Sequence, residues 1–295
     1  MQKNKALGGH LLALFCAVVW GTTFLVSKKL LTVCSPTQVM LLRFVFAYAM
    51  LWALYPHWNF CGRAEAGFFL MSLFANTLYF LAENTALTLT QTANVSIIVS
   101  TAPILTALLL GLFHPEEHIR KEELFGFLVA IGGVALVVFN GTVILKLNPL
   151  GDVLAFGAAL SWASYGVVLR RFTGKYNGFL LSRKLMFYGI ATALPLALIQ
   201  GRPMDWKALA APGNLLGLGY LAFIGSALCY VAWNSSVERL GVRKTNLYIY
   251  AIPLVTLVAG ALLLHERVTV MGAAGAALVV AGMFLSTRAP KPKMS

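Results

Sequence analysis

Shifted by about 150 residues, the chain aligns with itself. The stretch YFLAENTALTLTQTANVSIIVSTAPILTALLLGLFHPEE from Tyr79 lies without a gap over CYVAWNSSVERLGVRKTNLYIYAIPLVTLVAGALLLHER from Cys229. Asn84 then meets Asn234, Pro103 meets Pro253, Thr106 meets Thr256, Glu116 meets Glu266, and Gly132 meets Gly282. Chance rarely places two asparagines, a helix-interior proline and an acidic loop residue at one offset. Further upstream, Trp20, Lys28 and Lys29 match Trp162, Arg170 and Arg171 at a slightly shorter offset, and Arg43 falls near Arg183 and Lys184. A duplication of this length restricts the fold to two related halves.

What each half contains follows from its apolar runs. The 295 residues are 59% hydrophobic and 11% charged, against about 25% charged in an ordinary soluble domain. No soluble core hides that much apolar side chain. With about 20 residues to cross the hydrocarbon and about 10 to connect, the length holds about ten helices. Charge, Pro and Gly divide the chain into runs at 8–27, 36–55, 65–87, 92–113, 122–140, 150–170, 180–200, 213–237, 244–264 and 269–287. The connections leave no room for an extramembrane domain. Five spans per half is an odd number, so the halves enter the bilayer in opposite orientations. The expected fold is an all-α integral membrane protein of ten transmembrane helices, built as two inverted five-helix repeats over 1–145 and 146–295.

The formal net charge of +13 does not mark a nucleic-acid partner, because the basic residues form no stripe interleaved with aromatics. They sit in the short gaps between spans, where they set orientation and meet anionic lipid. Most of the 23 Lys and Arg fall in gaps on the N-terminal side, while Lys28, Lys29, Lys146, Arg202, Lys207 and Arg267 fall opposite, and Arg43, Arg183 and Lys184 lie within spans. Both termini are therefore expected in the cytoplasm. Lys3 and Lys5 ahead of an apolar run imitate a signal peptide, but the run continues through Trp20 and reads as an uncleaved first span. Cys16, Cys34, Cys61 and Cys229 are widely spaced and predict neither a disulfide framework nor a zinc site.

The five-plus-five duplication, the VVWGTTF run from Val18, the NTALTLTQTANVSIIVSTAP stretch before a mid-membrane proline, and the acidic turns HPEE and LLHER resemble the EamA family of the drug/metabolite transporter superfamily. The resemblance covers nearly the whole chain. It implies a ten-helix secondary carrier whose central cavity is lined mainly by helices one, three, four, six, eight and nine, in a family that usually exports metabolites or drugs from the bacterial cytoplasm.

Glu83 is the carboxylate placed well inside a span, about 7 Å from the outer end of the third helix. Ionised there, it costs several kcal/mol unless paired or watered. Three readings are open: a static pair with Arg43 in the second helix, a proton site or anchor for a substrate amine, or snorkelling to the surface. Arg183 and Lys184, a turn from the cytoplasmic face, are expected to snorkel. Polar and aromatic residues gather on the third, fourth, eighth and ninth spans: Asn76, Tyr79, Asn84, Asn94, Ser96 and Ser100, then Tyr230, Trp233, Asn234, Asn246, Tyr248 and Tyr250. Asn76, Tyr79 and Glu83 share a helix face, and Asn246 and Tyr250 repeat that spacing. Such residues line a cavity or bond helix to helix. Trp20 and Trp162 either cap a cavity or belong to interfacial belts.

Pro103 and Pro253 lie mid-span and free carbonyls one turn earlier, near Val99 and Ile249, which makes them candidate hinges or packing kinks. Gly126, Gly132, Gly133, Gly272, Gly275 and Gly282 suit close packing of the fifth and tenth helices, or a dimer face. His114–His118 spells HPEEH and fits an inverted zinc-protease signature. Pro115 interrupts the helix that zinc would require, so no metal is expected; Glu116 and Glu117 instead stand four residues before Arg120 and Lys121. No GxxxxGK loop for ATP is present, and no cofactor is expected.

The sequence thus reads as a secondary transporter of the bacterial inner membrane. It is expected to export a small organic solute, an amino acid or related amphipathic metabolite, by alternating access, with proton coupling at Glu83 or a substrate gradient as the driving force. Uptake by the same fold is the competing reading. A membrane enzyme or non-transporting subunit is a third, and lacks the convergent acid, base or metal set that chemistry requires.

Overall fold

The computed structural model describes residues 2–57, 59–90, 92–117, 119–139, 148–263 and 268–288. They are all-helical: α1 (Gln2–Leu30), α2 (Pro36–Leu54), α3 (Ala64–Leu89), α4 (92–113), α5 (Lys121–Phe139), α6 (Pro149–Arg170), α7 (Gly178–Gln200), α8 (Pro212–Leu240), α9 (242–263) and α10 (Val270–Arg288). A four-residue turn of helix, Trp206–Leu209, sits between α7 and α8. Among the described residues, seven of these helices are long and apolar enough to cross a membrane: α1 to α6 and α8. Lys146, Glu266 and Arg267 fall outside the described residues.

Local sequence fixes the boundaries. Ser35 caps α2 in a reciprocal box with Gln38, and Pro36 occupies the first turn, where its missing N–H costs nothing. Asn148 and Asn177 cap α6 and α7 by accepting from Gly151 N (3.0 Å) and Phe179 N (2.8 Å). Gly201 closes α7 at φ 60°, a conformation open to glycine and strained for other residues.

The packing is symmetric under exchange of the halves. α1 packs against α8 and α9 as α6 packs against α3 and α4, while α2 packs on α7 and α5 on α10. Both self-equivalent pairs run antiparallel. Along α2 and α7, Thr37 bonds Gln200, Phe44 abuts Gly189, and Tyr55 O accepts from Arg183. Along α5 and α10, Gly126 lies against Gly282, and Gly133 against Gly275.

The glycines explain the closeness of that last pair. A Cβ on Gly133 would stand 2.6 Å from Val279 N, and one on Gly282 2.5 Å from Ala130 N. Only hydrogen fits, so the two backbones touch. Gly132 has nothing within 4 Å. The glycine equivalent to Gly282 is therefore Gly133, not Gly132, and the second half is one residue shorter than the first between its acidic turn and Gly282. The same packing places Gly126, Gly133, Gly275 and Gly282 inside the chain rather than on a dimer face.

Large apolar side chains such as Phe125, Leu198, Ile199 and Phe284 cover the outer surface, being 60%, 70%, 84% and 54% exposed. In water such a surface would aggregate. In lipid it is a matched solvent.

Candidate functional site

The site begins with two defects in otherwise regular helices. α3 widens into π-helical turns at Leu73–Leu78 and α8 at Tyr220–Leu228, equivalent positions in the repeat. Wider turns leave carbonyls free for side-chain donors. Ala75 O accepts from Tyr230 Oη (2.8 Å), and its counterpart Gly225 O accepts from Trp20 Nε1 (3.0 Å) and Arg43 Nη2 (3.2 Å). Ser161 Oγ donates to Phe74 O (2.7 Å).

Two further defects face them. α4 is broken into Thr92–Val99 and Ala102–Phe113 by a turn at Ser100 and Thr101. α9 runs as Val242–Asn246, a tighter 3-10 stretch Leu247–Tyr250, and Ala251–Leu263. Pro103 sits in the first turn of the second segment of α4, and Pro253 in the first turn of the last segment of α9. They start new helices rather than kinking continuous ones, because a proline lacks only an N–H that this turn leaves unpaired anyway.

Between these defects lies a small cavity of about 40 Å³, room for a few waters and no organic solute. Trp20, Thr23, Phe24, Arg43, Tyr79, Phe80, Glu83, Val99, Ala102, Trp162, Tyr230, Ile249 and Ile252 line it. Much of the wall is paired by the repeat: Trp20 with Trp162, Phe80 with Tyr230, Val99 with Ile249, and Ala102 with Ile252. Trp20 meets Trp162 edge-on at 5.3 Å and Trp233 at 4.9 Å; Tyr79 meets Trp162 at 5.5 Å. Trp162 Nε1 donates to Asn246 Oδ1 (3.1 Å).

The charges break the symmetry. Glu83, 5% exposed, has Trp233 as its counterpart. Counted from the caps Ser35 and Asn177, Arg43 has Leu185, which lies beside Asn76 as Arg43 lies beside Ser226. Arg183 and Lys184 are thus not its equivalents. Arg43 Nε donates to Ser226 Oγ (2.5 Å), and its guanidinium lies 4.3 Å over the Phe80 ring. Glu83 Oε1 accepts from Tyr79 Oη at 3.3 Å. No contact within 4.0 Å joins Arg43 to Glu83, although both line one cavity. The static pair is not closed.

The remaining sequence candidates lie outside the cavity wall. Asn76 donates to Leu185 O (2.7 Å) across the α3–α7 contact. Asn84 donates to Pro36 O (3.4 Å), and Asn94 to Thr90 Oγ1 (3.2 Å). Asn234 accepts from Tyr165 Oη (2.6 Å) and donates to Ser182 Oγ (3.1 Å), tying α6, α7 and α8 together. Asn246 orients Trp162 from behind. Tyr250 is buried among Phe127, Ala130 and Val134 of α5. Arg183 does not snorkel: it is 3% exposed and donates to the Tyr55 and His57 carbonyls that end α2. Lys184 pairs with Glu65 (2.6 Å). Glu116 and Glu117 bond Arg170 of α6 rather than Arg120 or Lys121, and Arg243 of α9 bonds Glu123 (2.5 Å). These pairs tie the two halves together on the face that bears the N-terminus. No cluster of three metal-ligating side chains occurs among the described residues, which exclude His118.

The sequence reading missed Thr23 and the apolar lining, namely Phe24, Phe80, Val99, Ala102, Ile249 and Ile252. Its signal was present: Val99 and Ile249 are the residues one turn before the two prolines.

Residues 7–139 and 149–288 each match the EamA-like transporter family. The chain belongs to that family. It is a multi-pass membrane transporter and not an enzyme. An "Uncharacterized transporter" of Archaeoglobus fulgidus is 28% identical over 290 residues, covering 94% of this chain and 96% of the relative. The "Probable amino-acid metabolite efflux pump" of Escherichia coli is 25% identical over 295 residues, with 93% of each covered. A crystal structure 20% identical in sequence superposes with a TM-score of 0.76, covering 95% of this chain and 96% of that one, and shares the fold.

Proposed function

We propose that this EamA transporter has ten membrane spans in two inverted repeats, 1–145 and 146–295, and exports small amphipathic metabolites, amino acids or related compounds, by alternating access. The observation that carries the reading is the small cavity between the halves, walled by repeat-equivalent residues and flanked by the breaks in α4 and α9. At about 40 Å³ it is too small for such a solute, which enters only when the halves part. Antiparallel packing of α2 on α7 and α5 on α10 supports inversion, since equivalent helices then point opposite ways.

In this reading Pro103 and Pro253 mark the hinges. Trp20, Tyr79, Trp162 and Tyr230 provide ring faces and hydrogen bonds, with Asn246 holding Trp162. Asn76, Asn94, Asn234 and Tyr250 join the binding surface only if opening turns them inward. Glu83 is the coupling group, alternately holding a proton or the substrate. The excess of basic residues on the face of the N-terminus supports cytoplasmic termini in a bacterial inner membrane. The test is mass-spectrometric efflux from liposomes holding purified protein and a mixture of amino acids, amines and nucleobases, with and without a pH gradient. Selective loss of one class, faster with the gradient, is expected. Loss no faster than from empty liposomes, with insertion verified, refutes the reading.

A further inference from the structure

Glu83 and Arg43 are opposite charges that line one cavity without a contact within 4.0 Å between them. Each is anchored on its own side. Arg43 spends Nε on Ser226 and one Nη2 hydrogen on Gly225 O, and among the described residues Nη1 has no partner. Glu83 uses Oε1 on Tyr79 at 3.3 Å, a long bond, and among the described residues Oε2 has no partner. Neither Arg43 Nη1 nor Glu83 Oε2 is sealed by packing, unlike Asn76 Oδ1 or Tyr250 Oη. Both residues line the cavity, whose other walls are the rings of Trp20, Phe24, Tyr79, Phe80, Trp162 and Tyr230, with Thr23 and aliphatic side chains.

Two buried charges held apart cost free energy unless a ligand completes them. A lone amine would satisfy Glu83 and leave Arg43 unmatched; a lone carboxylate would do the reverse. A solute carrying both ends close together, and an apolar body, matches the site and adds no net charge.

Resting on the transport reading above, we infer that the cavity, widened when the halves part, recognises zwitterionic α-amino acids with bulky apolar side chains, Arg43 taking the α-carboxylate, Glu83 the α-ammonium, and the paired aromatic wall the side chain. The guanidinium fork suits a carboxylate, and its seat on the widened turn of α8 holds it in place. Both charges lie in the first half of the chain, with Leu185 and Trp233 at the equivalent places in the second. The substrate therefore binds head to one half, and the symmetric ring meets only its apolar body.

The test compares three solutes of one shape in protein-containing liposomes and in thermal unfolding of the purified protein: L-phenylalanine, its amide without the carboxylate, and 3-phenylpropionate without the ammonium. The wild type is expected to move and be stabilised by the amino acid, with either fragment about 10- to 100-fold weaker, the range of a charged hydrogen bond. Arg43→Gln is expected to abolish the preference over the amide, and Glu83→Gln the preference over 3-phenylpropionate. Where Arg43→Gln does not fold, Arg43→Lys keeps the charge and loses the fork, and reduces the same preference. Equal handling of the amino acid and its amide by the wild type overturns the clamp while leaving transport standing. So does movement of other solutes in the wider mixture with none of these three. No movement of any solute overturns both readings.

Discussion

Placing one methyl group on Gly133 tests the register of the two halves. An alanine Cβ there lies 2.6 Å from Val279 N and 2.7 Å from Gly275 O, where ordinary contact begins at 3.4 Å. The obstacle is backbone on both counts, so no side chain can swing aside and α5 and α10 must part by on the order of 0.5–1 Å. Overpacking that shifts backbone costs about 1–3 kcal/mol. Alanine also favours a helix over glycine by about 1 kcal/mol, which blurs the result for one variant. Gly132→Ala removes the ambiguity: it gains the same propensity and meets nothing within 4 Å. The difference between the two variants is therefore the packing cost alone, about 1–3 kcal/mol. Read as the midpoint of thermal unfolding in detergent, Gly133→Ala should melt several degrees below Gly132→Ala, at about 2–4 °C per kcal/mol. The double variant Gly133→Ala/Gly275→Ala should cost less than the sum of the singles, because helices already parted admit the second methyl more easily. Equal melting of Gly132→Ala and Gly133→Ala, or a lower midpoint for Gly132→Ala, would refute the register.

Glu83→Gln should leave the midpoint near wild type and remove the acceleration of efflux by a pH gradient; acceleration that survives rules Glu83 out as the coupling group. Arg243→Gln strands the Glu123 carboxylate and should destabilise by about 1–3 kcal/mol, most of it recovered in Arg243→Gln/Glu123→Gln; a double variant as unstable as the sum of both singles refutes the pair. Trp162→Phe leaves Asn246 Oδ1 without its donor and should cost about 1–3 kcal/mol in unfolding experiments, with Asn246→Leu adding little on top. Pro103→Ala and Pro253→Ala let the segment join the helix before it while leaving the first turn's hydrogen bonds as they are, so each should leave the midpoint near wild type while slowing efflux; unchanged rates make the breaks packing features only.

The pattern of apolar runs was enough to place the helices, because a bilayer enforces span length and leaves only short polar gaps to read. The Asn84–Asn234 and Pro103–Pro253 coincidences were enough to pair the halves. Side-chain direction was not legible. Asn76, Tyr79 and Glu83 share a face by spacing, yet Asn76 turns to Leu185 O while the other two line the cavity. The cause is the π-helical widening at Leu73–Leu78, which inserts extra residues per turn and rotates Asn76 off the stripe. A long cation near a helix end normally reaches water, but Arg183 finds the Tyr55 and His57 carbonyls just beyond α2 closer by. Glu116 and Glu117 were assigned local partners by spacing, and found Arg170 across the interface, a tertiary contact that no single-helix rule contains.

The division between symmetric and asymmetric residues has a physical reason. A carrier that opens to each side in turn must present similar walls to the solute in both states, and equivalent residues from two inverted halves meet that need without separate tuning. In the proposed cycle, Trp20 with Trp162 and Val99 with Ile249 are such walls. Recognition has the opposite requirement, because a solute with distinct ends has no two-fold axis. A second glutamate in place of Trp233 would put two carboxylates around one ammonium, leaving one buried and unpaired at a cost of several kcal/mol. Asymmetry at Arg43 and Glu83 inside a symmetric ring is thus what a duplicated fold requires once its cargo is not itself symmetric.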